Sequence, residues 1–180
     1  MALAACAGPA SYDGDAPAET AAVDARAVLE ALPDLQVELP HVDAVVVEKA
    51  SRRMYLKQNG MVLRAYDIAL GFEPEGHKTQ RGDGRTPEGR YTLDFRNPNS
   101  QFHRSMRVSY PSREDVARAE RLGVDPGNNI MIHGLPDDWA WMGRHHRRHD
   151  WTEGCIAVTN EEMDEIWAMV DTGTPIYIRP

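Results

Sequence analysis

The chain has 180 residues, enough for one ordinary domain with a surplus but too few for two well-cored domains. Apolar residues make up 42% and charged residues 27%, a mixture that indicates a folded chain. The net charge of −8 argues against a sequence-independent nucleic-acid binder, which needs a basic surface. No apolar stretch approaches the roughly 18 residues of a membrane helix, so we expect no span.

The first 40 residues differ in composition from the rest. Residues 7–24 are rich in Ala, Pro, Gly, Asp and Glu, which predicts a flexible tether over residues 1–40. Before it, Leu-Ala-Ala-Cys ending at Cys6 resembles the lipobox of bacterial lipoproteins, so Cys6 is a candidate lipid anchor. A signal peptide would need a charged region and an apolar core before that cysteine, and neither precedes Cys6. The alternatives are a remnant of a longer signal and a coincidence in an Ala-rich segment.

From residue 42 onward the pattern is of short β-strands joined by turns. Apolar or alternating runs predict strands at residues 43–49, 53–58, 61–70, 89–95, 105–110, 129–133 and 174–179. Asn59-Gly60, between the second and third of these, is the strongest hairpin signal in the chain.

Two helices are predicted beside these strands. The first covers residues 114–122 and is closed by Gly123. Thr159 and Glu162 fit a capping box that opens the second, whose core-facing stripe is Met163, Ile166, Trp167 and Val170. The prediction is a mainly β (α+β) domain over residues 42–180 with one or two short helices.

One cysteine and one histidine stand out as candidates for chemistry. Cys155 follows Gly154 in a polar loop, and His133-Gly134 ends an apolar strand about twenty residues earlier. A thiol nucleophile needs a partner that takes its proton, and histidine is the usual one. A lone cysteine is more often a small buried hydrophobe, so the residues by themselves leave a catalytic and a structural role equally open.

The combination of motifs resembles a known family. His133-Gly134 followed by Thr-Glu-Gly-Cys at residues 152–155 resembles the signature of the L,D-transpeptidase catalytic domain (YkuD-like). Thr-Pro-Glu-Gly at residues 86–89 is similar to the Thr-Pro-x-Gly strand entry of that family. The resemblance covers residues 42–180, nearly all of the foldable part.

The resemblance implies a bent β-sandwich in which Cys155 is the nucleophile and His133 its base. It also implies that Thr152 hydrogen-bonds the histidine and that the N–H groups of Gly154 and Cys155 form an oxyanion hole. The substrates would be peptidoglycan stem peptides, with no metal or cofactor. Acylation would expel the terminal D-alanine and leave a thioester on the L-centre of diaminopimelate. An amine would resolve it in a transpeptidase, and water in an L,D-carboxypeptidase.

Two positions depart from the family pattern. Glu153 stands where many members have His, and Ala157 where many have Arg or Asn. Gly-Cys-Ile-Ala resembles a subgroup with envelope enzymes and cytoplasmic L,D-carboxypeptidases of peptidoglycan recycling.

The location of the protein depends on its start. A lipidated Cys6 would favour the envelope or periplasm, whereas a true start at Met1 would favour the cytoplasm. A non-catalytic peptidoglycan-binding module is the less favoured alternative, because both Cys155 and His133 are present. We expect a monomer.

The candidate substrate contacts are less specific. The basic run at residues 144–149 allows three interpretations: a zinc site with Cys155, a solvated loop, or a positive patch that attracts carboxylates. Its interleaved arginines disfavour a metal ion, so we favour the patch and predict no metal. Trp139, Trp141 and Trp151 flank this run and predict a cleft wall. The predicted substrate-binding residues are Arg81, Arg85, Gly134, His149 and Trp151.

Overall fold

The computed structural model of the protein describes residues 40–180. Cys6 and the predicted tether, apart from its last residue, lie outside the described residues. The strands are β1 Ala44–Glu48, β2 Arg53–Gln58, β3 Met61–Asp67, β4 Gly89–Ser100, β5 His103–Val108, β6 Met131–His133, β7 Ile156–Ala157 and β8 Pro175–Arg179. The helices are α1 Arg113–Leu122, α2 Asn160–Met169 and a 3₁₀ segment, Asp137–Arg148.

The strands form one curled sheet in the order β3-β2-β1-β8-β4-β5-β6-β7. The β1–β8 and β6–β7 pairs are parallel, whereas the remaining pairs are antiparallel. Ala69, just beyond β3, bridges Ala157 in β7, so the two ends of the sheet meet. The predicted mainly β fold with few short helices is confirmed, and all eight strands of residues 40–180 belong to one continuous sheet.

The local signals for turns and caps are confirmed. Asn59 and Gly60 have φ angles of 50° and 80°, the left-handed pair that a two-residue hairpin turn requires. Thr159 accepts a hydrogen bond from the Glu162 N–H, and the Glu162 carboxylate accepts one from the Thr159 N–H. This capping box starts α2 at the predicted point.

The core lies between the curled sheet and α2. Helix α2 packs against β5 and β6, because its apolar stripe faces the sheet. Of that stripe, Met163, Ile166 and Val170 are fully buried, and Trp167 is half-buried beneath the Arg96 guanidinium. Burial of such side chains stabilises the fold by roughly 1.5–3 kcal/mol each. This packing holds β6, the strand that ends at the predicted histidine.

Two segments differ from the prediction. Strand β4 continues to Ser100 although it contains Pro98, because beyond Thr92 it pairs only with β5. A proline on the unpaired side of a strand removes no ladder hydrogen bond. Most of the basic run, residues 144–148, lies in the 3₁₀ segment, for which no regular structure was predicted; this segment is interrupted at Gly143 with a φ of 46°. Among residues 40–180, no helix combines the length and apolar character needed to cross a bilayer.

Candidate active site

Cys155 and His133 lie on two neighbouring segments of the sheet. Strand β6 ends with His133, and β7 begins directly after Cys155. The parallel register pairs Ile132 with Ile156 and His133 with Ala157. Continued by one residue, it sets Cys155 beside Met131, two positions from His133 and on the same face. Both side chains line one cavity of about 660 Å³.

The Cys155 side chain is half-buried and carries a free thiol. Its Sγ donates to the Asn129 carbonyl at 3.6 Å. Burial raises the pKa of the thiol above its ordinary value, and the Glu153 carboxylate adds to the rise. The Met131 main chain and the Lys78 ammonium act in the opposite direction but do not outweigh burial. The resting group is therefore a thiol and not a thiolate.

His133 is fixed as a neutral base. Its ring packs against Phe102 in a tilted arrangement, with centroids 4.6 Å apart, and lies edge-to-face with Trp151 at 5.8 Å. Nδ1 lies 2.7 Å from the Gly134 carbonyl, which assigns the ring proton to Nδ1 and leaves Nε2 as the acceptor. Burial lowers the pKa of His133 to about 4. The imidazole is uncharged at pH 7 and can accept a proton.

The predicted hydrogen bond from Thr152 to the histidine is wrong. The Thr152 hydroxyl donates to the Cys155 carbonyl at 2.8 Å and accepts from the Gly154 N–H at 3.1 Å. The Nδ1–H of His133 is instead taken by Gly134, so that ring nitrogen needs no side-chain partner. Thr152 shapes the turn that carries the thiol. Because that turn uses the Gly154 N–H, the Cys155 N–H remains as the predicted oxyanion donor.

The turn before Cys155 is packed backbone against backbone. Gly154 has a φ of +127°, and a Cβ there would lie 2.4 Å from the Arg85 carbonyl oxygen. A Cβ on Gly71 would lie 2.0 Å from the Gly84 oxygen and 3.0 Å from the Gly154 Cα. Real Cβ atoms do not make contacts this short, so only glycine fits at either place. Glycine thus allows the cysteine turn to rest directly on the loop of residues 84–85.

The predicted substrate-binding residues do not all line the same cavity. Trp151 lines the 660 Å³ cavity together with the thiol. Arg81 lines a second cavity, of about 250 Å³, that also reaches Cys155. Arg85 lines neither cavity, because its guanidinium lies beside Gly76. The prediction that Arg85 contacts substrate in this cleft is therefore not supported by its position.

Gly134 and His149 also lie away from the thiol. Gly134 does not line the cavity; a Cβ there would lie 2.5 Å from the Asn160 Oδ1, so close packing explains this glycine. His149 lines a separate cavity beside Trp139 and Trp141. Gly134 instead positions the imidazole through its carbonyl.

The basic run is less free to attract anions than predicted. Arg147 pairs with Glu162 and Asp67, so its charge is compensated. His146 is buried against Trp151, and burial lowers its pKa to about 4. Within residues 40–180 no three His, Cys, Asp or Glu side chains gather at a spacing that could hold a metal ion.

The sequence reasoning missed a rim of amide side chains. The β4–β5 hairpin and the segment before β6 contribute amides to the cavity wall: Asn97, Asn99, Gln101 and Asn129. Asn129 has a positive φ of 58°, which turns its carbonyl toward the thiol. Asparagine tolerates that conformation better than most residues, so Asn-Asn just before the His133 strand was a usable signal.

Comparisons with known proteins bear on this geometry. The family profile of the L,D-transpeptidase catalytic domain (YkuD) matches residues 42–178. No curated protein sequence matches the chain. Among solved structures, the helical cell shape determining protein Pgp2 from Campylobacter jejuni is 25% identical with a TM-score of 0.56, covering 78% of this chain and 48% of that one.

Two more distant structures share the fold. Bd1075 from Bdellovibrio bacteriovorus is 22% identical with a TM-score of 0.52, covering 77% of this chain and 48% of its own. An L,D-transpeptidase from Enterococcus faecium is 18% identical with a TM-score of 0.50, covering 78% and 50%. The chain spans about half the length of these proteins. Because the profile matches most of the sequence, the chain belongs to the L,D-transpeptidase catalytic domain family.

Proposed function

We propose that the protein is a cysteine acyl-transfer enzyme acting on peptidoglycan stem peptides at the L-centre of diaminopimelate. One observation carries the proposal: a thiol and a neutral imidazole border the same cavity in a chain of this family. A neutral imidazole can take the thiol proton, and the cavity is large enough for a peptide side chain.

The first half of the reaction forms a thioester. Sγ leaves the Asn129 carbonyl, gives its proton to Nε2 of His133 and attacks the carbonyl carbon of the third residue. The Cys155 N–H donates to the developing oxyanion. As the C–N bond breaks, the imidazolium returns the proton to the departing D-alanine amine. The low pKa of His133 makes its imidazolium a better proton donor than a free imidazolium, which suits protonation of the leaving amine.

The second half resolves the thioester. Transfer to the amine of another stem peptide gives a cross-linked dimer, and His133 takes the proton that the amine loses. Transfer to water gives a trimmed tripeptide, the L,D-carboxypeptidase outcome. The protein would work in the cell envelope, where peptidoglycan lies. The similarity to Pgp2, named as a helical cell shape determining protein, supports a part in cell shape.

The test is release of D-alanine from tetrapeptide muropeptides by wild-type protein and by Cys155→Ala. We expect the wild type to release D-alanine and to carry a peptide adduct on Cys155, detected by intact mass. The variant should lose at least about 10³-fold in rate, because Cys155 is the only thiol that residues 40–180 contribute to the cavity. Retained turnover by a folded variant would rule out the mechanism.

Product analysis separates the remaining functions. Dimers indicate a transpeptidase, and trimmed monomers indicate a carboxypeptidase. If muropeptides bind without any adduct or released D-alanine, the chain is a peptidoglycan-binding module instead.

A further inference from the structure

Among the residues of the described range 40–180 that line the 660 Å³ cavity, Glu153 is the one with a charged side chain. The other lining residues bring amides, hydroxyls, aromatic rings, a thioether, the thiol and the neutral imidazole of His133. Glu153 is exposed to solvent and precedes the thiol by two residues. An incoming substrate therefore meets a single full charge here, and that charge is negative.

The charges around the second cavity also favour a positively charged ligand. Glu153, Cys155 and Asn129 line both cavities, so the carboxylate stands where the two meet. Two cations also line the second cavity, but each has its own partner. Lys78 pairs with Asp83 at 2.8 Å, and Arg81 pairs with Asp125 at 2.8 Å. Within residues 40–180, Glu153 makes no ion pair, so its charge is available to a ligand.

Resting on the proposed function, we propose that Glu153 binds the primary ammonium of the diaminopimelate side chain and so selects substrate. Diaminopimelate carries this ammonium at its D-centre, in the same residue whose L-centre carbonyl meets the thiol. The ammonium would belong either to the donor peptide or to the acceptor that attacks the thioester. Donor and acceptor peptides present the same group, a primary ammonium, to the Glu153 carboxylate.

Charge neutralisation links this binding to the chemistry. Burial is the main cause of the raised pKa of the Cys155 thiol, and the Glu153 carboxylate adds a smaller rise. An ammonium seated beside Glu153 cancels that contribution, so the thiolate forms more easily once the proper substrate is present. Glu153 then acts as a positioning residue whose effect on the thiol depends on the bound cation.

A donor role is tested by titration calorimetry on Cys155→Ala protein, using a tetrapeptide with a free or an acetylated side-chain amine. We expect the free amine to bind about two- to fivefold tighter, the range of a solvent-accessible ion pair. Adding Glu153→Gln should abolish this preference. The matched control is Glu120→Gln on α1, an exposed glutamate outside both cavities, which should leave the preference unchanged.

An acceptor role is tested by the product ratio of the enzyme with its thiol intact. Glu153→Gln should then shift products from cross-linked dimer toward trimmed tripeptide, with donor affinity unchanged. A change in either measurement supports the inference and tells donor from acceptor. If affinity and product ratio both match those of Glu120→Gln, the inference is overturned.

A third measurement is independent of peptidoglycan. Cys155 is alkylated with cationic 2-bromoethylammonium and with anionic iodoacetate, and the ratio of the two rates reports the local charge. The ratio should fall about two- to fivefold in Glu153→Gln. An unchanged ratio contradicts the inference. If the ratio falls although no stem peptide binds, the cation preference stands and the proposed function fails.

Discussion

Burial keeps both members of the Cys155–His133 pair uncharged at pH 7. It raises the pKa of the thiol and lowers that of the imidazole, in each case against the charged form. The site therefore differs from a preformed thiolate–imidazolium pair. Proton transfer has to accompany the attack on substrate, which protects the resting thiol from casual oxidation and alkylation.

This state predicts the pH dependence of alkylation by iodoacetamide. Because the pKa of the Cys155 thiol is raised, the alkylation rate of the folded protein should keep rising beyond pH 9. The same cysteine in urea-unfolded protein should level off near its ordinary pKa. The measurement is the second-order rate constant between pH 6 and 10. A plateau below pH 8 in the folded protein would show a stabilised thiolate and contradict this view.

At the scale of elements, the decisive one is the turn of residues 152–155. It has three supports: the Thr152 hydroxyl, a glycine in a conformation closed to other residues, and the Arg85 backbone beneath it. These supports hold the thiol at the cavity, on the side of β7 that faces His133. The turn fixes the position of the Cys155 thiol, whereas the imidazole of His133 is placed to accept the proton of that thiol.

The turn predicts a contrast between two substitutions of Thr152. Thr152→Val keeps the shape but leaves the buried Gly154 N–H and the Cys155 carbonyl without their partner. We expect a loss of about 1–3 kcal/mol in the free energy of unfolding, measured in urea, and slower turnover. Thr152→Ser keeps the hydroxyl and should lose much less. Equal losses for both variants would contradict a special role of the hydroxyl, because Thr152→Ser keeps its hydrogen bonds and Thr152→Val does not.

The sequence predicted elements whose signals are local. The Asn59-Gly60 turn and the α2 capping box each depend on residues within a few positions, and both were found where expected. The thiol and imidazole were placed on one cavity by family resemblance, not by spacing.

Contacts between distant residues were not predictable in the same way. The expected Thr152–His133 bond failed, because the choice between a side chain and the Gly134 carbonyl depends on ring orientation. Arg85 carried the right charge for a substrate contact, but its backbone supports Gly154 and its guanidinium lies by Gly76. Residue type alone does not tell which way a long side chain leaves a loop.

For the whole molecule, two buried histidines predict acid sensitivity. The folded-state pKa values of His133 and His146 are lowered from the ordinary 6.5 to about 4. Between these values the unfolded chain binds protons that the folded chain does not, so stability falls as pH falls through that window. Above pH 6.5 the contribution is fully present. For His133 the full loss by pH 4 is about 3 kcal/mol.

The measurement is the free energy of unfolding in urea at pH 7 and pH 5. His133→Gln should show a smaller fall between these two values than the wild type. His145→Gln, which changes an exposed histidine, should show the same fall as the wild type. A fall that is identical in all three proteins would place the acid sensitivity in other groups.

The closure of the sheet has a consequence for folding. Ala157 exchanges two backbone hydrogen bonds with Ala69, while the next residue, Val158, donates to the His133 carbonyl. Contacts so far apart in the chain are slow to form, because a long loop must be ordered before they stabilise anything. In a partly refolded molecule the surroundings of Cys155 are therefore not yet assembled. We expect enzymatic activity to return only in the final kinetic phase of refolding.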